Sequence, residues 1–155
     1  MTVIAWDGKT LAADSRVTSA SHLVSDDHDK LIWLDDCSYQ GDKLIAIGMA
    51  GLLADYDKVL SMLHTDGFGH VNIEIEHEID AIIIGENYVY NLESNRCFLI
   101  RYKRSTKLAV GSGEPFAMLT LKQGKSAKQA VKAAMLLDCG CGGEVKTITF
   151  ATKEV

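Results

Sequence analysis

The chain has 155 residues, the usual size of one domain, so we expect a single domain over residues 1–155. Its formal net charge of −5 argues against a nucleic-acid-binding protein, because phosphate contacts need a concentrated basic face. No apolar run reaches the roughly 20 residues that cross a bilayer, and the N-terminus lacks the pattern of a signal peptide. The sequence therefore predicts a cytoplasmic protein with neither a membrane nor a nucleic acid as partner.

The cysteines and histidines indicate no metal site. The four cysteines do not form two Cys-x-x-Cys pairs, and the five histidines show no ligand pattern of the His-Glu-x-x-His kind. Disulfides are not expected in a cytoplasmic chain. We therefore predict four free thiols and no metal site, and the mechanism described below needs no cofactor.

The first half of the chain predicts strands and one helix. Residues 3–6 and 10–13 are apolar and flank Asp7 and Gly8, which is a strong hairpin signal. Residues 30–34 and 43–50 read as a second strand pair joined by a polar loop over 35–42. Residues 52–64 have apolar positions at helical spacing, followed by a stop at Asp66 and Gly67.

The second half continues this mixed pattern. Residues 71–79 alternate between mainly apolar residues and a polar row of one asparagine and three glutamates, which is typical of a strand with one face in water rather than of a metal site. Further strands are predicted at residues 81–84, 88–92, 98–102 and 108–110. Helices are expected at 115–122 and from the Ser126 cap to residue 137, before a closing strand at 145–151. This order, without βαβ alternation, predicts an α+β sandwich of two antiparallel sheets covered by helices.

Thr2 is the residue with the clearest chemical potential. It directly follows Met1, and removal of that methionine would leave a threonine whose own α-amino group can act as base for its hydroxyl. Asp14 and Lys30 could form an activating pair beside it. Taken singly, each of these residues has a simpler reading, as an ordinary second residue or as an exposed ion pair.

Five sequence blocks in chain order resemble the N-terminal threonine hydrolases of the proteasome β-subunit and HslV type. These blocks are TVIAW with LAADSR within residues 2–16, DKLI at 29–32, MAGLLAD at 49–55, GSG at 111–113 and DCGCGG at 138–143. The resemblance implies the four-layer αββα sandwich of the Ntn-hydrolase fold. It also implies a threonine-type endopeptidase that works in a homo-oligomeric ring on unfolded polypeptides, which an ATP-dependent unfoldase delivers.

The resemblance also assigns the catalytic roles. Thr2 would supply the nucleophilic hydroxyl and the amine that moves its proton, Lys30 the neighbouring cation, and Asp14 the carboxylate that holds this lysine. Gly51 falls where the family uses a backbone N–H as oxyanion donor, and a turn between strand and helix is a second, compatible reason for a glycine there.

A second group of residues would support the amine of Thr2. Ser112 and Asp138 match the accessory pair that hydrogen-bonds to this amine. Cys141 stands where the family usually has serine, and because a thiol is a poorer donor we expect a weaker relay there. We do not expect Cys141 itself to be the nucleophile.

Four further residues match the family's pocket for the side chain that precedes the cleaved bond. They are Val17, His28, Met49 and Leu53. Because this set is mainly apolar, it predicts a preference for hydrophobic residues at that position.

The geometry of the first hairpin poses one difficulty. A two-residue turn at Asp7 and Gly8 would place Ala13 opposite Thr2 and turn the Asp14 side chain to the other face. The catalytic arrangement therefore requires a bend or bulge after Ala13.

Two other functions fit the same sequence. A retained Met1 would acylate the amine that the mechanism needs, which would leave a catalytically silent structural or assembly subunit. An Ntn amidohydrolase acting on a small amide is the third possibility, disfavoured by the short chain and by the combination of Asp14, Lys30 and Gly51.

Overall fold

The computed structural model describes residues 2–64, 78–92 and 99–151. The strands in this part of the chain are β1 (Ile4–Trp6), β2 (Thr10–Ala13), β3 (Val17–Ser19), β4 (His22–Ser25), β5 (Leu31–Tyr39), β6 (Asp42–Gly51), β7 (Ile79–Gly85), β8 (Tyr88–Leu92), β9 (Leu99–Lys103), β10 (Leu108–Val110) and β11 (Lys146–Thr149). The helices are α1 (Tyr56–His64), α2 (Glu114–Lys122) and α3 (Ala127–Leu137), and a short 3-10 helix at Leu53–Asp55 precedes α1.

The strands form two main antiparallel sheets and a separate hairpin. The first sheet has the order β10-β1-β2-β11, and the second has the order β5-β6-β7-β8-β9. Within the described ranges, strands β3 and β4 form a two-stranded sheet of their own. The prediction of an α+β fold with two antiparallel sheets is thus confirmed.

Three apolar clusters show how sheets and helices pack. One cluster lies between the sheets and includes Ile4 and Trp6 from the first and Ile82 from the second. Another joins the second sheet to α1, and a third joins the first sheet to α2 and α3. The inner strands β1, β2, β6 and β7 therefore bury both faces, which explains why they are apolar on both sides.

The register of the first hairpin differs from the predicted one. Ala13 lies opposite Ile4, not Thr2, and the turn is centred on Gly8 and Lys9. The Asp7 carboxylate accepts hydrogen bonds from the amides of Lys9 and Thr10, which closes the turn one residue later than expected. Strand β2 ends at Ala13, so the chain departs from regular strand geometry at the point where a bend was required.

The predicted loop over residues 35–42 was wrong, because strand β5 continues to Tyr39. A register shift between Trp33 and Cys37 interrupts the ladder, and Asp36 has a positive φ of 51°. Such a bulge lets a strand pass through a polar segment that breaks the apolar alternation. Gln40 and Gly41, both with positive φ, make the turn into β6.

The remaining predictions agree with the structure to within a few residues. The predicted helix over 52–64 is the 3-10 turn plus α1, and the predicted helices near the C-terminus are α2 and α3. The hairpin of β3 and β4 was not predicted. The alternating glutamate segment lies outside the described residues except for its last two positions. In the described part of the chain, no helix is long and apolar enough to cross a membrane.

Candidate active site

Thr2 lies two residues before β1, an inner strand of the first sheet, and only 5% of its surface is exposed. The loop between β10 and α2 holds its backbone, because the Gly113 N–H donates to the Thr2 carbonyl at 3.2 Å. Gly111 has a φ of +97°, and a Cβ there would collide with the same carbonyl. This loop needs glycine at position 111 to approach the N-terminal segment so closely.

Lys30 connects Thr2 to Asp14. Its Nζ donates to Thr2 Oγ1 at 2.9 Å and to Asp14 Oδ1 at 2.9 Å. Both charged side chains are buried, with exposed fractions of 2% for Lys30 and 0% for Asp14. Because a buried charge needs a partner, this ammonium group is held against the threonine hydroxyl by the carboxylate.

Two backbone amides complete the surroundings of Asp14. The Val3 N–H donates to Oδ1 at 3.1 Å, and the Gly142 N–H donates to Oδ2 at 3.0 Å. Both oxygens therefore accept hydrogen bonds, from segments far apart in the chain. The carboxylate is fixed in orientation as well as paired in charge.

Ser112 lies on the other side of Thr2. Its Oγ accepts a hydrogen bond from the Thr2 N–H at 3.2 Å and is 3.4 Å from the Thr2 carbonyl oxygen, to which it can donate. Ser112 also lies close enough to Asp138 to lower the pKa of this carboxyl group. Thr2, Ser112 and Asp138 therefore lie close to one another in the structure.

The surroundings of Asp138 and Cys141 set their protonation. Burial opposes ionisation of Asp138, but hydrogen bonds from Ser112, the Gly140 amide and Cys141 outweigh it and lower the pKa of this carboxyl group. Burial, together with the charges of Asp14 and Asp138, raises the pKa of the Cys141 thiol to about 12. Cys141 is therefore a neutral thiol at physiological pH, 3.9 Å from Ser112 Oγ, and lacks the thiolate that a nucleophile requires.

Gly51 ends β6 beside Thr2. It has a φ of +144°, and a Cβ there would lie 2.7 Å from the Glu78 carbonyl oxygen. Glycine is thus needed for the close approach of β6 and β7, whether or not its N–H also serves as an oxyanion donor. Gly51 and Thr2 line the same cavities.

A cavity of about 260 Å³ opens beside Thr2 and Lys30. Its walls contain the predicted pocket residues Val17 and Leu53, together with Val24, Leu52 and Tyr56 among others. Leu52, Leu53 and Val24 are each more than a third exposed, so apolar side chains face solvent at the mouth of this cavity.

The other two predicted pocket residues are not among those that line this cavity. Met49 is fully buried beneath it, where its carbonyl accepts a hydrogen bond from the Tyr56 hydroxyl at 2.7 Å. Its side chain belongs to the cluster under α1, because alternation along β6 turns it away from Thr2. His28 is half-buried, and its backbone N–H donates to the Ser15 carbonyl at 3.0 Å.

Sequence reasoning assigned no role to Ser15 and Arg16, although both lie in a quoted block. The Ser15 hydroxyl lies 2.8 Å from the Asp26 carbonyl and 2.7 Å from the Glu144 carbonyl. Arg16 pairs with the Asp26 carboxylate and donates to the Cys139 carbonyl at 3.2 Å. These contacts tie the glycine-rich loop at 138–143 to the segment that carries Asp14. The sequence signal that could have predicted this role is the pair of polar residues that directly follows Asp14.

Comparison with known proteins shows the fold. No protein-family model matches the sequence, and no curated protein matches it. The crystal structure of eukaryotic HslV from Trypanosoma brucei is similar at a TM-score of 0.68 and 17% identity, over 96% of this chain and 99% of that chain. Thiobacillus denitrificans BPH in complex with epoxomicin is similar at a TM-score of 0.66 and 17% identity, over 99% of both chains.

A second structure of Thiobacillus denitrificans BPH matches at a TM-score of 0.65 and 19% identity, over 96% of both chains. The chain therefore has the fold of HslV and BPH along nearly its whole length. The resemblance drawn from the sequence blocks is confirmed at the level of the fold.

Proposed function

We propose that this protein is a threonine-type endopeptidase in which removal of Met1 exposes Thr2 as the nucleophile. The observation that carries the proposal is the buried lysine whose Nζ lies 2.9 Å from Thr2 Oγ1 and is held there by Asp14. A cation in this place stabilises negative charge as it develops on the hydroxyl oxygen. An N-terminal threonine also brings its own base, so bond cleavage needs no cofactor.

The chemistry follows from the positions of these groups. The freed amine of Thr2 takes the Oγ1 proton as this oxygen attacks the scissile carbonyl, and the Gly51 N–H stabilises the oxyanion. The amine then gives the proton to the leaving nitrogen, which departs and leaves an ester on Thr2. A water molecule, activated by the same amine, hydrolyses this ester and restores the free hydroxyl.

Ser112 and Asp138 would orient the amine. The lowered pKa of Asp138 keeps it a carboxylate at neutral pH, so it accepts the hydrogen bond of the Ser112 hydroxyl. The oxygen of Ser112 is then available to accept an N–H of the amine, which leaves the amine lone pair for the Oγ1 proton.

The proposal also includes the order of the sheet and helix layers and the assembly of subunits into a ring. We infer a single domain with the four-layer αββα arrangement, supported by the clusters between the sheets and beneath the outer helices. A homo-oligomeric ring would enclose the sites, and unfolded polypeptides would reach them with the help of an ATP-dependent unfoldase. The shared fold with HslV and BPH supports this assembly.

Intact mass of the purified protein, before and after incubation with a peptide epoxyketone, tests the proposal. We expect loss of the Met1 mass and one stoichiometric adduct per chain, because epoxyketones react with both the hydroxyl and the free amine of an N-terminal threonine. The matched control Thr2→Ala should also lose Met1 yet form no adduct. A native mass spectrum of the same sample would show the ring as a multiple of the subunit mass.

Two results would contradict the endopeptidase. A chain that retains Met1 and forms no adduct, after expression in a host with active methionine aminopeptidase, would be the silent structural subunit. A chain that forms the adduct and hydrolyses small amides, yet leaves an unfolded polypeptide intact, would be an Ntn amidohydrolase.

A further inference from the structure

The glycine-rich loop at residues 138–143 contributes one of the hydrogen bonds that orient Asp14. Lys30 Nζ donates to Oδ1 of this carboxylate, whereas the Gly142 N–H donates to Oδ2 at 3.0 Å. Three of the six residues in the loop are glycines, and glycine has more conformational freedom than any other residue. Contacts from outside the loop must therefore hold the Gly142 peptide in place.

The two residues that follow Asp14 supply such contacts. The Ser15 N–H donates to the Gly142 carbonyl at 3.0 Å. The guanidinium of Arg16 lies directly against Gly142, because a Cβ at this glycine would collide with the Cζ, Nε and Nη2 atoms of the arginine. Arg16 Nη1 also donates to the Cys139 carbonyl at 3.2 Å. Arg16 therefore covers Gly142 and binds the start of the same loop.

Asp26 fixes the plane of this guanidinium. Its Oδ1 accepts a hydrogen bond from Arg16 Nε at 2.7 Å, and its Oδ2 accepts one from Nη2 at 3.2 Å. Such a two-point contact restrains the orientation of a guanidinium, which a bond to a lysine ammonium group does not do. Hydrogen bonding from Arg16 lowers the pKa of the Asp26 carboxyl group, so the pair is ionised at neutral pH.

This ion pair is partly exposed, with 29% of the Arg16 side chain and 40% of the Asp26 side chain accessible to solvent. Pairs of this kind contribute little to the free energy of unfolding. The geometric consequence is larger, because Gly142 contacts both the guanidinium and the Asp14 carboxylate. Arg16 is thus connected to the candidate nucleophile through Gly142, Asp14 and Lys30.

We propose that Arg16 is a positioning residue for the nucleophile and that it acts by keeping the Gly142 N–H on the Asp14 carboxylate. Asp26 takes part by fixing the plane of the guanidinium. The Asp14 carboxylate in turn holds the lysine whose Nζ lies 2.9 Å from Thr2 Oγ1. This inference rests on the proposed peptidase function and adds two residues to the arrangement that its reaction would need.

The test measures how fast the full-length protein, with Met1 removed, forms its adduct with a peptide epoxyketone. Time courses of intact mass at several reagent concentrations give the binding constant, KI, and the rate constant within the bound complex, kinact. A misplaced lysine lowers kinact, because small displacements of catalytic groups slow the chemical step. A fraction of misfolded protein instead lowers the final amount of adduct and leaves this rate constant unchanged.

Asp26→Asn should lower kinact about tenfold and leave KI unchanged. The substitution keeps the size of the side chain and removes the charge that holds Arg16. Asp26 is not among the described residues that line the cavity beside Thr2, so binding of the reagent should not change. Arg16→Lys should lower kinact as strongly, since an ammonium group can neither make the two-point contact nor lie flat against Gly142.

Asp27→Asn is the matched control. Asp27 is the next carboxylate in the chain and pairs with Lys146 at 2.8 Å. Lys146 belongs to β11 rather than to the loop that carries Gly142. The control therefore removes a neighbouring charge without changing the contact of Arg16, and it should keep the kinact of the unsubstituted protein.

Three results would overturn the inference. One is an Asp26→Asn or Arg16→Lys variant that keeps the kinact and KI of the unsubstituted protein. Another is a raised KI at unchanged kinact, which would mean that the pair acts in binding alone. The third is an equal loss of kinact in Asp27→Asn, which would indicate a general effect of surface charge.

The unsubstituted protein separates this inference from the proposed function. If it forms the epoxyketone adduct, each of the three results refutes the role of Arg16 and leaves the peptidase in place. If it forms no adduct after loss of Met1, the proposed function is refuted and the role of Arg16 with it.

Discussion

A lysine that is 2% exposed is stable as an ammonium group only where another charge compensates it, and Asp14 supplies that charge at 2.9 Å. The pair joins two segments that are 16 positions apart and brings its cation to the hydroxyl of Thr2. The ion pair therefore contributes to the structure and to the proposed chemistry at once. Substitutions can separate the two contributions.

Lys30→Met should destabilise the protein by about 3–5 kcal/mol, because it leaves the Asp14 carboxylate buried without a counter-charge. It should also abolish reaction with the epoxyketone. Urea unfolding at pH 7 measures the first effect and intact mass the second.

The double variant Lys30→Met/Asp14→Asn is the control for this prediction. It removes both charges and keeps an amide that can still accept from Val3, so part of the lost stability should return while reactivity stays absent. If the double variant were as unstable as the single one, the stability lost in Lys30→Met would come from altered packing rather than from the unpaired charge of Asp14.

At the scale of elements, α3 shows how a local signal and a distant contact act together. Ser126 forms a capping box with Gln129, and the first N–H of the helix, that of Ala127, donates to Asp7 of the first hairpin at 2.8 Å. The buried face of α3 packs on the first sheet. The start of α3 is therefore fixed both by its own cap and by the hydrogen bond to the turn of the first hairpin.

Ser126→Ala should lower the free energy of unfolding by about 1 kcal/mol, because it removes the acceptor for the Gln129 N–H. Ser126→Asp keeps an acceptor in this place and should lie close to the unsubstituted protein. Urea unfolding of the three proteins gives the comparison. Equal losses in both variants would show that the cap is not what stabilises this end of α3.

At the scale of the whole molecule, the candidate site depends on how the two sheets pack. Thr2 leads into β1 of the first sheet, whereas Lys30 leads into β5 and Gly51 ends β6 of the second. Gly48 of β6 faces the first sheet at close range, since a Cβ there would be 2.7 Å from Ile4 Cγ2. A change in sheet spacing would thus move the nucleophile relative to its lysine.

Gly48→Ala should cost about 1–3 kcal/mol by overpacking and should also slow adduct formation with the epoxyketone. The matched control is Ile83→Val. Ile83 lies in the cluster beneath α1, so this change should lower the free energy of unfolding by about 1 kcal/mol and leave the contact between the sheets intact. The two variants should have similar free energies of unfolding, but only Gly48→Ala should react more slowly with the epoxyketone. Equal reactivity would show that sheet spacing does not control the site.

Several parts of the fold could be predicted because their causes are local. The Ser126 cap, the proline near the start of α2 and the apolar periodicity of α1 act within a few residues, so these helices were expected close to where they lie. The predicted end of strand β5 was too early, because a bulge preserves strand pairing where the apolar sequence pattern fails. The predicted register of the first hairpin was wrong, because the Asp7 carboxylate accepts hydrogen bonds from Lys9 and Thr10 and so moves the turn one residue further along the chain.

The α+β class, most element positions and the residue types that the chemistry would need could be predicted from the sequence, because periodicity, caps and motif spacing are local properties of the chain. Which of these residues come into contact depends on long-range packing. Packing of the sheets brings Lys30 to Thr2, and alternation along β6 buries Met49 instead of placing it in the pocket. The close approach of Gly51 to Glu78 likewise exists because β7 pairs with β6, a long-range contact that no local pattern specifies.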